Sequence, residues 1–155
     1  MNKEYTSMAQ LVSARLSEQT AARVKLYARK KQRSVNETVS LALEEWLRQN
    51  EFAFIEFRDT RQGRIAYMKN SRLAVYWVVK VAKSYDMDID KLCAYWPNRP
   101  RAWVQAALNY YAAYPEEIDA QIADDDAITP ETLRRQLPQM EMVVIPADAL
   151  TEASE

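Results

Sequence analysis

Apolar and polar positions alternate over Leu11–Ser17. Val12, Ala14 and Leu16 fall on one side, and Leu11, Ser13 and Arg15 on the other, the period of a β-strand. At Ser17 the period changes. Ser17 is placed to cap a helix with Glu18 in its first turn, where a negative charge meets the positive end of the helix dipole. Along Glu18–Lys31 the residues Ala21, Val24, Tyr27 and Ala28 recur at helical spacing. Gln32–Asn36 interrupts the pattern. A second helix then runs to about Gln49, with Val35, Val39, Ala42, Leu43, Trp46 and Leu47 as its expected buried face.

Farther on, Phe52–Thr60 and Arg64–Lys69 alternate again around Arg61-Gln62-Gly63, which predicts a short β-hairpin. Glu51–Phe57 holds few breakers, which leaves open that the preceding helix runs on for a turn. From Ser71 a helix is marked by Leu73, Val75, Val78, Val79 and Ala82. A second, Ile89–Tyr95, starts at a capping Asp88 and ends before Pro97. A third begins near Pro100 and runs to Tyr114, with Trp103, Val104, Ala107, Leu108 and Tyr111 as its apolar stripe. Three short helices with breaks at 85–88 and 97–100 predict a compact, helix-turn-helix-like unit. Beyond it, 119–126 is acidic. Thr129-Pro130-Glu131 opens a short helix with Leu133 and Leu137, stopped by Pro138, and Met140–Ile145 is an apolar run before Pro146.

One short strand and two amphipathic helices cannot satisfy their backbone or bury their apolar faces alone. Two copies solve both problems by pairing strands above four helices. The elements SARLS, RSVNETV and ALEEWL resemble the ribbon-helix-helix (Arc/MetJ/CopG) family of dimeric DNA-binding proteins. The resemblance implies a two-stranded ribbon in the major groove of a palindromic operator, with Leu11, Ser13 and Arg15 at the outward reading positions. Arg15 suits a guanine edge and Ser13 is a small donor or acceptor, whereas Leu11 replaces a polar residue usual in that family. Arg33, Ser34, Val35 and Asn36 open the second helix, where backbone N–H groups receive a phosphate.

The strings SRLAV, DIDKLCAYWP and WVQAALNYYAAYPEEI resemble a small helical domain of unassigned function found in VapB-like bacterial antitoxins, covering about residues 57–118. That family carries glycines before and after its first helix, where this chain has Lys69-Asn70-Ser71-Arg72 and Tyr85. Arg58, Arg61, Arg64, Arg99 and Arg101 suit phosphate contact. Trp77, Tyr95, Trp96 and Trp103 instead suit dimerisation or packing, and we weight the second reading more.

Composition narrows the function classes. The chain has no His, one Cys (Cys93) and one Gly (Gly63) among 155 residues. These counts leave no zinc site of the usual kind, no His-activated nucleophile and no glycine-rich phosphate loop. No catalytic residues, metal or cofactor are expected. A lone cysteine agrees with a cytoplasmic location, and no apolar run is long enough for a membrane span. The net charge of -1 conceals a gradient. Residues 1–50 hold nine basic and five acidic side chains, 51–114 ten and six, and 115–155 two and eleven. A basic front suits polyanions and an acidic end suits a basic partner or plain solvation.

These readings predict an α+β, mostly helical chain: a ribbon-helix-helix module over 1–50, a hairpin and three-helix domain over 51–118, and an extended acidic tail over 119–155. The expected function is that of an antitoxin that binds operator DNA as a homodimer, or as side-by-side dimers, and represses its own promoter. Its C-terminal half neutralises a toxin such as a PIN-type ribonuclease. The candidate partner-binding residues are Leu133, Arg134, Arg135, Leu137, Met142, Val143, Val144 and Ile145. Val143–Ile145 adding a strand to the hairpin remains the alternative for that segment. The rival functions are a free-standing repressor and a dimeric interaction protein that does not touch DNA.

Overall fold

A computed structural model of the chain describes residues 10–60, 63–137 and 139. The described residues form seven helices and one antiparallel hairpin, and the chain divides after Glu51 into two compact units.

The first unit is a pair of helices, α1 (Glu18–Lys30) and α2 (Val35–Glu51). The Ser17 hydroxyl accepts from the Thr20 N–H and fixes the start of α1, with Glu18 in the first turn and Arg29 and Lys30 in the last. Gln32 turns the chain in the left-handed region, with φ 53°. Ala28 and Thr38 are the buried residues of the pair, and the Thr38 hydroxyl donates to the Ser34 carbonyl at 2.8 Å.

Two expectations differ here. Residues 10–16 are exposed and form no strand in the single chain. The apolar stripe of α2 is also open: Val35, Ala42, Leu43, Trp46 and Leu47 are exposed and Val39 is half-buried. Two helices alone have no further layer to place against that stripe. A strand likewise needs a hydrogen-bonding partner, and residues 10–16 have none among the described residues.

The second unit begins with β1 (Ile55–Thr60) and β2 (Gly63–Met68), paired from Ile55↔Met68 to Thr60↔Gly63. The hairpin is as predicted, though it starts at Ile55, and α2 stops at Glu51. Arg61 and Gln62 lie outside the described residues. Gly63 has φ +111°, a conformation that side chains disfavour. The helices α3 (Val75–Ser84), α4 (Ile89–Tyr95) and α5 (Arg101–Ala113) follow. Asp88 caps α4, its carboxylate accepting from the Asp90 and Lys91 N–H groups. Residues 71–74, expected in the first of these helices, are instead a loop, tied back by a bridge between Tyr67 and Ala74.

The core joins the hairpin to α3, α4, α5 and, through Ile118, the helix after α5. Met68, Val78, Val79, Leu92, Val104, Tyr110 and Ile118 are fully buried, and Trp103 is 2% exposed. Each large apolar side chain buried in this way contributes about 1.5–3 kcal/mol. Tyr110 and Ala106 take core positions on α5, while Leu108 and Tyr111, expected there, are half-buried. Phe52 meets Tyr110 edge-on at 5.3 Å and Tyr114 at 5.8 Å, which anchors the entry to the hairpin.

The largest correction concerns the acidic stretch. Residues 119–126, expected as the start of a tail, are the last two thirds of α6 (Pro115–Asp126), which packs on α3. Pro115 at the first position and Glu116 and Glu117 in the first turn favour helix initiation. Ile118 then enters the core and Ile122 packs against it. Lys80 bridges Asp125 and Asp126 at 2.6 Å each, Lys83 reaches Asp119 at 2.6 Å, and the Tyr111 hydroxyl also donates to Asp119. The short helix predicted after Thr129 is present as α7 (Pro130–Gln136), its Thr129 hydroxyl accepting from the Thr132 N–H.

Candidate nucleic-acid interface

The reading positions proposed from sequence lie in an open segment. Leu11, Ser13 and Arg15 are all exposed, Leu11 at 95%. Their neighbours Val12 and Leu16 are exposed as well, so neither side of the alternating segment is covered within one chain.

Arg33, Ser34, Val35 and Asn36 are brought together at the start of α2, all exposed. Sequence reading left out the residue that organises this end. The Ser34 N–H donates to the Glu37 carboxylate at 2.9 Å, and the Glu37 N–H donates back to the Ser34 hydroxyl at 3.1 Å. This reciprocal pair is a capping box, and its signal, Ser-x-x-Glu, stands in the sequence. The Ser34 N–H, then its hydroxyl, hold the Glu37 carboxyl below its usual range, so it is ionised at neutral pH. The carboxylate therefore already occupies part of the N-terminal positive field. A phosphate here has the Val35 and Asn36 N–H groups and the Arg33 side chain to bind.

Around this end the surface is basic. Arg23, Lys25, Arg29, Lys30 and Lys31 are exposed on α1 and just after it, with the Lys31 ammonium 5.9 Å from the Tyr27 ring centre. Long-range attraction of a polyanion needs only this surplus of positive charge.

Four of the second unit's arginines have protein partners. Arg58 pairs with Glu56 and lies 4.7 Å from the Tyr67 ring, and Arg64 reaches Asp59 at 3.4 Å. Arg99 lies 5.2 Å from the Trp103 ring and Arg101 pairs with Asp90. The aromatic residues separate into two groups. Trp103 is core, and Trp96 stands edge-on to it at 5.7 Å, whereas Trp77 and Tyr95 are exposed. Tyr95, though exposed, still packs against Trp96 at 4.9 Å and Tyr85 at 5.6 Å.

Of the candidate partner-binding residues, Leu133 and Leu137 are half-buried and Arg134 and Arg135 are exposed on α7. Met142, Val143, Val144 and Ile145 lie outside the described residues. Among the described residues no group of His, Cys, Asp or Glu is arranged to hold a metal ion. No described helix is long and apolar enough to cross a membrane. Protein-family models, curated proteins and solved structures give no match to this chain.

Proposed function

We propose that the chain is a DNA-binding regulator of the antitoxin kind, acting as a dimer through its first unit. One observation carries the reading: a 17-residue helix whose apolar stripe, Val35, Leu43, Trp46 and Leu47, is exposed in the single chain, together with an alternating segment that pairs with no strand among the described residues. Contiguous apolar surface of this kind marks an interaction site. A second copy covers the stripe and pairs Leu11–Ser17 with its own counterpart, as the likeness of this region to ribbon-helix-helix proteins implies. Pairing turns Leu11, Ser13 and Arg15 outward together on a two-stranded ribbon, which fits a major groove. Arg33 and the N–H groups that open α2 then hold a backbone phosphate on each side.

The toxin-binding half of the reading rests on α7 and the residues after it. The docking of α6 on α3 removes 119–126 from the segment open to a partner. That observation favours a second reading, a free-standing repressor with the same DNA-binding unit. Expression of the gene with its chromosomal neighbours, followed by purification on a tag carried by this chain, separates the two. A stoichiometric co-purifying protein that is toxic when expressed alone is the antitoxin result, and purification of this chain by itself is the repressor result. In either case the protein retards duplex DNA from its own upstream region. Failure to retard any duplex at low salt overturns both.

A further inference from the structure

The helix α5 presents two different faces. Trp103, Val104, Ala106, Ala107 and Tyr110 hold one face in the core. The exposed positions are Arg101, Ala102, Gln105, Asn109, Ala112 and Ala113, which lie within about 120° of the circumference at 100° per residue. None of the 13 residues of α5 is acidic. A face that serves only solubility carries charges of both signs. This one carries three alanines, which permit close approach, and a row of Arg, Gln and Asn at four-residue spacing.

From these features we infer that the exposed face of α5 is a second DNA-reading surface, entering a major groove of duplex DNA with Arg101, Gln105 and Asn109. The inference rests on the proposal that the chain binds DNA and adds a second reading element to it. A major groove about 12 Å wide admits one helix, and the three residue types match its edges: Arg pairs with guanine, Gln and Asn with adenine. Gln105 and Asn109 are already aligned, the Gln105 amide donating to the Asn109 carbonyl oxygen at 2.9 Å. At the helix start, Pro100 supplies no side-chain cap and Arg99 and Arg101 flank it. The Trp103 ring beneath the Arg99 guanidinium sets where that charge sits. Asp90 is the competing acid. Its pair with Arg101 has side chains 80% and 58% exposed, and such pairs are weak enough for a phosphate or base edge to replace them. Of the acidic residues of α6, Glu117 accepts from the Tyr110 hydroxyl and Asp119, Asp125 and Asp126 are paired with lysines of α3, while Glu116 is exposed beyond the C-terminal end of α5.

The test is a footprint of the full-length protein on a duplex selected by the wild type from a random-sequence pool. Protection is expected to have two parts, one lost in Arg15→Ala and the other lost in Gln105→Ala/Asn109→Ala. The double variant lowers affinity at least tenfold and relaxes base preference only in its own part. Alanine is favourable on an exposed helix face, so helicity by circular dichroism stays at the wild-type value. The near-isosteric Gln105→Glu, which sets a negative charge against the groove, gives the same loss of protection. Wild-type footprint and affinity in both α5 variants, with Arg15→Ala still impaired, overturn the inference and leave the proposed function standing. Absence of any footprint by the wild type overturns the two together.

Discussion

Single residues at helix ends explain much of the local geometry. Ser17, Asp88 and Thr129 each precede a helix and each accepts from N–H groups two or three residues on. All three were legible in the sequence because a short polar side chain before an apolar period has few other uses. Glu37 stands at the capping-box spacing from Ser34, but an acid in a first turn also answers the helix dipole, so the reciprocal bond shows only in the structure. Replacing Ser17 by Ala is expected to destabilise the first unit by about 1 kcal/mol, read as a lower urea midpoint with unchanged slope. Arg15 is exposed, so Arg15→Ala should leave stability unchanged. It should weaken operator binding by about 1–3 kcal/mol and relax preference at one base pair. Lys25→Ala, by contrast, is expected to weaken binding to all sequences alike and to reduce the salt slope by about one.

Among whole elements, the hairpin, α4, α5 and α7 followed from period and punctuation, while α6 did not. Its acidic residues read as a solvated exit from the domain, yet Ile118 and Ile122 are one helical turn apart and both meet the core. Knowing that Lys80 and Lys83 face them requires the fold, since those residues are 45 and 36 positions away in sequence. Around α3 the chain turns through the left-handed region without glycine, whereas Tyr85 has φ -111°. Asn70, Asp86 and Met87 have φ values of 58°, 55° and 59°, and Asn and Asp tolerate this region better than most.

The pairing of α6 with α3 has a pH signature. The Lys83 ammonium, and then the Tyr111 hydroxyl, hold the Asp119 carboxyl below its usual value. Its contribution is therefore present above the ordinary aspartate range and is lost as pH falls through the lowered value. Asp125, then Asp126, raise Lys80 above the usual lysine value, so that contribution is present up to the ordinary lysine range and is lost as pH climbs past it. Thermal midpoints should accordingly be level from about pH 5 to 9 and fall on both sides. Asp119→Asn should have a smaller acid-side fall than the wild type. An identical acid limb in the variant would contradict the role given to this pair.

For the whole molecule, the charge gradient and the open apolar stripe are the features that matter. The basic front was visible by counting side chains, and the stripe by periodicity. Its exposure appears only once α1 and α2 are in place, with Leu43, Trp46 and Leu47 53%, 61% and 52% exposed. Trp46→Lys should keep both helices and yield a monomer that binds DNA at least tenfold more weakly and loses the ribbon's part of the footprint, because neither half-ribbon reads alone. The second unit, with its own core, should unfold as in the wild type.

Sedimentation equilibrium of the full chain, alone and with an upstream duplex at low and high salt, tests this account most directly. Twice the 18.0 kDa chain mass is expected in the absence of DNA, and a dimer–duplex complex that dissociates as salt rises. A species of 18.0 kDa at all concentrations, or a dimer that leaves the duplex unshifted at low salt, contradicts it.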